Sequence, residues 1–213
     1  LKGALLFFIP RFLWKDKSGF GNNIECTGSG TPQYATGEIN NLPSFLNDSL
    51  NIGGTVETNN YLQTGDATLF LVAKVFIAPS YYFIHDTLNN FGLTKTAALS
   101  WHESGTENNN RFTDAGNPFI FYGKMQKGQL LSGTFIDSAG IQTSYTVDTL
   151  TMTVSTAPIK LASNGQVYYG EVIYYNRALT DAEIQTNTMY LSNKWRIAIP
   201  TDTPFSPAKI SGL

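Results

Sequence analysis

Cysteine is almost absent from this chain of 213 residues. Cys26 stands alone, so no internal disulfide can form, and the fold must be held by packing and hydrogen bonding. Its ordinary reading is a small, half-buried side chain rather than a reactive thiol. Histidine is scarce too: His85 and His102 have no Cys-x-x-Cys, H-E-x-x-H or G-x-S-x-G partner, which leaves zinc and a serine triad without a basis. Each reads as a strand-end residue making a local hydrogen bond. Charged residues make up 14% of the chain, against roughly 25% in typical domains. With a net charge of -2 and no basic cluster, no counterion release is available to drive nucleic-acid binding. No apolar run reaches the length of a membrane span. The run 4–9 is short, is closed by Pro10 and Arg11, and has no small-residue cleavage site after it. It reads as a first strand rather than a signal peptide.

Catalytic carboxylates are also missing. Glycosidases need two acids at a fixed separation, and the sequence holds no E-x-D-x-E triplet. Glu103 and Glu107 fall in a loop rich in Asn and Gly, which predicts no fixed distance between them. The G-x-G runs at 19–21 and 28–30 lack the lysine-serine sequel and strand-to-helix context of a phosphate loop.

What is present is sheet. Asn, Thr, Ser, Gln and Gly carry the polarity, giving a neutral, hydrogen-bonding surface, and the length suits one β-sandwich that buries about 70% of its unfolded surface. Residues 66–77, DATLFLVAKVFI, are nearly continuous in apolar and β-branched types from 68 to 76 and predict a mid-sheet strand. Short strands at 81–85, 97–101 and 119–122 are separated by polar segments. A hairpin is expected across Asp137-Ser138-Ala139-Gly140, joining 130–136 to 141–147. Strands at 150–154 and 159–161 follow, and the Asn-Gly at 164–165 predicts a hairpin into the last strand. Residues 28–47, rich in Gly, Pro, Asn and Thr, read as a long surface connection. Asn47-Asp48-Ser49 is a sequon, relevant only in a secretory pathway.

The most legible stretch is 170–195, GEVIYYNRALTDAEIQTNTMYLSNKW. A strand over 171–175, apolar at both parities, predicts a central position. Thr180 to Glu183 reads as a capping box, with Leu179 and Ile184 at the staple positions. Ile184, Thr188, Leu191 and Trp195 then form one stripe, with Gln185, Asn187, Ser192 and Asn193 on the solvent side and Pro200 as the stop.

These residues resemble the carboxy-terminal signature of the laminin G-like, concanavalin A-like jelly rolls: E-V-I-Y-Y, then N-R-A-L-T-D-A-E-I, then Y-L-S-N-K-W. Weaker similarities extend along most of the chain. G-A-L-L-F-F-I-P resembles the family's opening strand. Asp16, Ser18, Gly19, Gly21 and Asn22 match its D-x-S-G-x-G-N loop. SLNIGGTVETNNYL is similar to its S-L-x-F-D-G-x-x-D-Y-V, with Gly53 and Gly54 where the acidic residue would stand.

The expected fold is therefore all-β, an antiparallel two-sheet β-sandwich of the jelly-roll type with one short C-terminal helix. Residues 1–199 would form the domain and 200–213, with three prolines, an extended tail or linker. The resemblance implies a non-catalytic recognition or adhesion module of an extracellular or virion-surface protein, binding a glycan or neighbouring protein subunits within a multi-module or multi-subunit assembly. A purely architectural role in a virion, filament or surface layer is the alternative, and glycoside hydrolysis a remote one. Sugars are taken by aromatic faces together with neutral amides and carboxylates. The candidate ligand residues are Trp101, His102, Glu103, Asn108, Asn109, Asn110 and Arg111, with Tyr81 and Tyr82 nearby. No cofactor is required; calcium is the one ion the oxygen-rich loop could hold, through Asp16. Against this stand the ordinary readings, core for Trp101 and solvated loop for the asparagines.

Overall fold

The computed structural model describes residues 13–14, 24–26, 33–48, 56–58, 66–77, 82–86, 91–95, 99–103, 106–107, 116–126, 130–148, 159–161 and 166–200. Among them the strands form two antiparallel hydrogen-bonded sheets. The first has eight strands, in the order β1 (Leu13–Trp14), β2 (Ile24–Cys26), β5 (Val56–Thr58), β14 (Ile159–Leu161), β7 (Tyr82–Asp86), β8 (Phe91–Lys95), β9 (Leu99–Glu103) and β10 (Thr106–Glu107). The second has seven, in the order β13 (Gln142–Asp148), β12 (Leu130–Ile136), β11 (Phe119–Gln126), β6 (Ala67–Ile77), β15 (Gln166–Tyr175), β4 (Leu42–Asp48) and β3 (Gln33–Ile39). A single α-helix among the described residues, α1 (Asp181–Trp195), follows β15.

The apolar run 68–76 becomes the middle of the seven-stranded sheet because β6 pairs with β11 on one side and β15 on the other. Both of its faces are buried. Phe70 and Val72 of β6 join Ile120 and Tyr122 of β11, Ile136 of β12 and Ile39 of β3 under the helical stripe Ile184, Leu191 and Trp195. The intervening positions Leu69, Leu71, Ala73 and Val75, with Phe119, Phe121, Phe135, Phe45 and Tyr169, are buried as well. There the Phe119 and Phe135 rings lie 4.7 Å apart and the Phe45 and Tyr169 rings 5.9 Å apart. Each fully buried side chain of this kind stabilises by about 1.5–3 kcal/mol, so this sheet carries the described core.

The helix begins as its residues dictate. Thr180 is the N-cap, its Oγ1 accepting from the Glu183 amide at 3.4 Å, while Glu183 Oε2 accepts from the Thr180 amide at 2.9 Å. Leu179 and Ile184, the staple pair, are both buried in the cluster. Thr188 lies in the stripe and returns its hydroxyl to Ile184 O at 2.8 Å, which lets a polar side chain sit in an apolar seam. Asn187 and Ser192 depart from the expectation of a solvent position: both are half-buried, Asn187 accepting the Tyr175 hydroxyl at 2.9 Å and Ser192 donating its own to Ile197 O at 2.7 Å. Nor does Pro200 set the stop. The helix ends at Trp195, where Arg196 turns left-handed at φ 54 and Ile197 N reaches Ser192 O at 3.2 Å.

Residues 33–47 correct the reading of 28–47 as a surface connection. They form the hairpin of β3 and β4, joined by Asn40 and Asn41, both left-handed at φ 49 and 63. Two consecutive positive φ values match the twist of the flanking strands, and asparagine tolerates them. The tip also closes the helix: Asn40 Nδ2 donates to Trp195 O at 2.7 Å and Arg196 O at 3.1 Å, satisfying carbonyls that a helix end leaves without partners. Asn40→Gly keeps the turn but removes these bonds, and is expected to cost about 1 kcal/mol. Asn40→Ala should cost about 1 kcal/mol more, because it adds the left-handed penalty. Equal losses in denaturant melts would contradict this double role.

The hairpin at 137–140 is as expected. Asp137 Oδ1 accepts the Ala139 and Ile141 amides at 2.9 and 2.8 Å, and Gly140 supplies φ 79 where Ala198 packs 3.3 Å from the position of a would-be Cβ. The second expected hairpin does not form: β14 pairs with β5 and β7 in one sheet, while β15 lies in the other. The connection therefore passes between sheets. Asn47 of the sequon sits in β4, opposite Val167. The expected strands at 1–12 and 150–154, the loop at 16–22, and the tail from 201 lie outside the described residues.

Candidate functional site

Three of the expected ligand residues fall on β9, one strand in from the edge of the eight-stranded sheet. Sequence reasoning placed Glu103 and Glu107 in an unstructured loop; instead β9 and β10 form a tight hairpin in which Glu103 is opposite Thr106 and His102 is opposite Glu107. On the other side, β8 sets Phe91 against Glu103, Gly92 against His102 and Leu93 against Trp101. One cross-strand row is therefore Gly92, His102 and Glu107, and the next is Phe91, Glu103 and Thr106. Adjacent rows belong to opposite faces of a sheet. The expected group thus divides, Trp101 and Glu103 at one parity and His102 with Glu107 at the other. Glu107 is the residue that sequence reasoning left out; a Ser-Gly pair between two short polar runs was the available turn signal. Asn108, Asn109, Asn110 and Arg111 lie outside the described residues, as does Asp16.

A second polar group surrounds the helix. At the bulge of β15, the register passes from Tyr169 opposite Ala73 to Glu171 opposite Val72, leaving Gly170 as the extra residue. Glu171 then meets the helix from below. Its Oε1 accepts the Tyr190 hydroxyl at 3.0 Å, and its Oε2 accepts Lys194 Nζ and Trp195 Nε1, each at 2.8 Å. Lys194 lies 5.3 Å from the Tyr190 ring centroid and 5.6 Å from that of Trp195. Burial alone would lower the Lys194 pKa, but the bonds to Glu171 and Tyr190 outweigh it and the net shift is upward. The ammonium stays charged. Tyr190 and its neighbour Met189 remain nearly half exposed.

At the other end of the helix, Arg177 grips Glu183 with two nitrogens, at 2.9 and 2.6 Å. The Arg177 bonds first, then the Thr180 amide and hydroxyl, hold the Glu183 carboxyl down at about 2. A carboxylate depressed in the folded state contributes stability above its unfolded value, and that contribution is lost as pH falls toward 2. Wild type should therefore lose more stability than Glu183→Gln between pH 5 and pH 3, measured by urea melts at each pH. Parallel losses would show that the pair contributes nothing in solution, as exposed pairs can.

On the sheet beside α1, Thr134 Oγ1 and Ser144 Oγ are 2.8 Å apart, Gln142 Nε2 donates to Ser144 Oγ at 3.3 Å, and Lys124 approaches Asp181 at 3.9 Å. Burial first, offset by the Thr134 bond, raises the Tyr122 pKa, and burial alone raises that of Tyr169. Both phenols stay neutral. The ion pairs Lys74–Glu38, Lys124–Asp181, Arg177–Glu183 and Lys194–Glu171 thus join helix, hairpin and sheet. No group of three or more His, Cys, Asp or Glu able to hold a metal occurs among the described residues, and no helix there is long and apolar enough to cross a membrane.

No family model and no curated protein matches the chain. Solved structures do. The binding domain of Paraclostridial Mosquitocidal Protein 1 is similar at 15% identity, with a TM-score of 0.63 over 84% of this chain and 50% of that one. The binding domain of botulinum neurotoxin DC in complex with SialylT is similar at 13% identity, with a TM-score of 0.56 over 84% and 50%. The same domain in complex with rat synaptotagmin II is also similar at 13%, with a TM-score of 0.60 over 83% and 48%. The chain spans about half the length of each. At such identities the likeness is one of fold.

Proposed function

We propose that this chain is a non-catalytic recognition module that binds a glycan or a protein outside the cell. The observation that supports this reading is the shared fold: the similar structures are binding domains of a mosquitocidal protein and of a botulinum neurotoxin, the latter in complex with SialylT and with rat synaptotagmin II. The second support is chemical. Glu171, Glu183, Glu38 and Asp137 each hold a cation, hydroxyl or backbone amide in place. Acid-base catalysis needs a carboxylate poised toward a substrate, whereas a durable platform uses its charges in this way.

On this reading the two sheets stack as a laminin G-like, concanavalin A-like jelly roll over residues 1–199, with 200–213 as an extended tail. Burial supports the stacking, because the helix covers one face of the seven-stranded sheet and the other is equally dry. The ligand meets the β9–β10 hairpin and its continuation, through Trp101, His102, Glu103, Asn108, Asn109, Asn110 and Arg111, with calcium at Asp16 as an accessory. A hairpin at a sheet edge suits recognition because the scaffold fixes its base while its tip varies freely.

The experiment is a glycan array followed by calorimetry with the sugars that respond, sialylated oligosaccharides included, run with calcium and with chelator. Binding that weakens at least about tenfold in Trp101→Ala, with the melting profile retained, is the expected result. Silence toward every sugar removes the glycan form. Unchanged affinity in Trp101→Ala and in Glu107→Gln moves the site away from this hairpin.

A further inference from the structure

We propose that β13 is a self-pairing edge, through which two copies of this chain join antiparallel along Gln142–Asp148 to make one continuous sheet. The inference rests on a comparison of the four strands that end the two sheets. In the eight-stranded sheet these are β1 and β10, of which two residues each are described. The described part of each offers almost no ladder to an incoming chain. In the seven-stranded sheet, β3 is broken by a bulge between Ala35 and Ile39, with Gly37 at φ 97. Its Glu38 is drawn inward to Lys74 of β6 at 2.9 Å. A bulge and an inward-turned charge are two of the ways in which natural sheets blunt an edge.

β13 carries none of these protections. Its seven residues, QTSYTVD, pair with β12 in unbroken register from Gln142 opposite Ile136 to Asp148 opposite Leu130. It contains no proline, glycine, lysine or arginine, and four of its residues are β-branched or aromatic. Among the described residues its only strand partner is β12. Thr143 and Ser144, which alternate between the two faces, are both exposed, so at that point neither face of the strand is covered.

The occupant follows from the strand's own sequence. A two-fold axis normal to the sheet keeps each face with its like, so the positions of paired residues must sum to an even number. Centring the axis on Tyr145 gives full overlap. Thr143 then faces the partner's Val147, Ser144 the partner's Thr146, and Asp148, the strand's one charge, the partner's Gln142. Like charges opposed across a ladder destabilise it, and here none are opposed. The pairing adds roughly one backbone hydrogen bond per paired residue. It is also isologous and closes on itself. Because the opposite edge is blunted, the assembly stops at two copies instead of growing into a fibre.

The test reads mass against concentration by light scattering and sedimentation, together with hydrogen exchange over 142–148. The mass of two chains is expected as concentration rises from ~1 to ~300 µM, the range in which a contact of modest area associates, with amide protection in β13 rising in parallel. Tyr145→Lys and Tyr145→Glu place like charges on the axis, and each should remain monomeric. Mixing the two should restore the dimer, a result that misfolded variants cannot give. A wild-type chain that stays monomeric throughout overturns the proposal. So does a dimer whose β13 exchange is independent of concentration, or one that survives both charge variants, since either locates the contact elsewhere.

Discussion

Trp195→Ala should lower the free energy of unfolding by about 3–5 kcal/mol, read as a fall in the denaturant midpoint at unchanged slope. The side chain is 3% exposed and ends the helical stripe. Its indole donates to Glu171 Oε2 at 2.8 Å, and its ring lies so close over Gly170 that a Cβ built there would stand 2.9 Å from two of its carbons. Three contributions are therefore lost together: apolar burial, a charge-assisted hydrogen bond, and the filling of the space above the bulge. The glycine and the tryptophan form a matched pair, which a double-mutant cycle can measure. Gly170→Ala alone should cost about 1–3 kcal/mol through overpacking. In the Trp195→Ala background the added methyl meets no ring, and most of that cost should vanish. Strictly additive losses would mean that the ring does not rest on Gly170 in solution.

Thr68→Val is expected to cost about 2–4 kcal/mol, although it preserves size and shape. Thr68 is fully buried in β6. Its hydroxyl donates to Arg177 O at 3.0 Å and accepts from the Leu179 amide at 3.0 Å, fixing the corner between β15 and α1 to the central strand. Valine removes both partners at once. The Leu179 amide then stays buried with no acceptor, and the penalty for desolvating a stranded group exceeds the net worth of the bond it made. Thr68→Ser should cost less than Thr68→Val, because it keeps the hydroxyl. Hydrogen exchange at Leu179 supplies the local readout: accelerated in the valine variant, near wild type in the serine one. A valine variant as stable as wild type would show that water reaches the corner and takes over both bonds.

What could be read from the chain depended on the range of the interaction involved. The capping box at 180–183, the staple, the stripe to Trp195 and the turn at 137–140 all lie within a few residues of the partners they use. The β3–β4 hairpin did not stand out, because most of β3 is exposed, which erases apolar alternation, and its turn is Asn-Asn rather than Asn-Gly. The Asn-Gly cue at 164–165 misled for a related reason: a turn signal states that the chain reverses, not which sheet receives the next strand. For the candidate site, the residue types on β9 were recognisable while their grouping was not. Only the pairing with β8 and β10 puts His102 opposite Glu107 and assigns Glu103 to another row.

The sequence by itself determined an all-β chain with one capped helix, a mid-sheet strand within 66–77, and a polar, weakly charged surface, because capping, periodicity and composition act locally and need no knowledge of the rest. Tertiary structure decided which strands are neighbours, that Asn40 closes a helix more than 150 residues away, and that the β3 edge is bulged while the β13 register is regular. Those outcomes depend on pairing energies between segments far apart in the chain. Such energies exist only once the whole set of strands competes for the same edges.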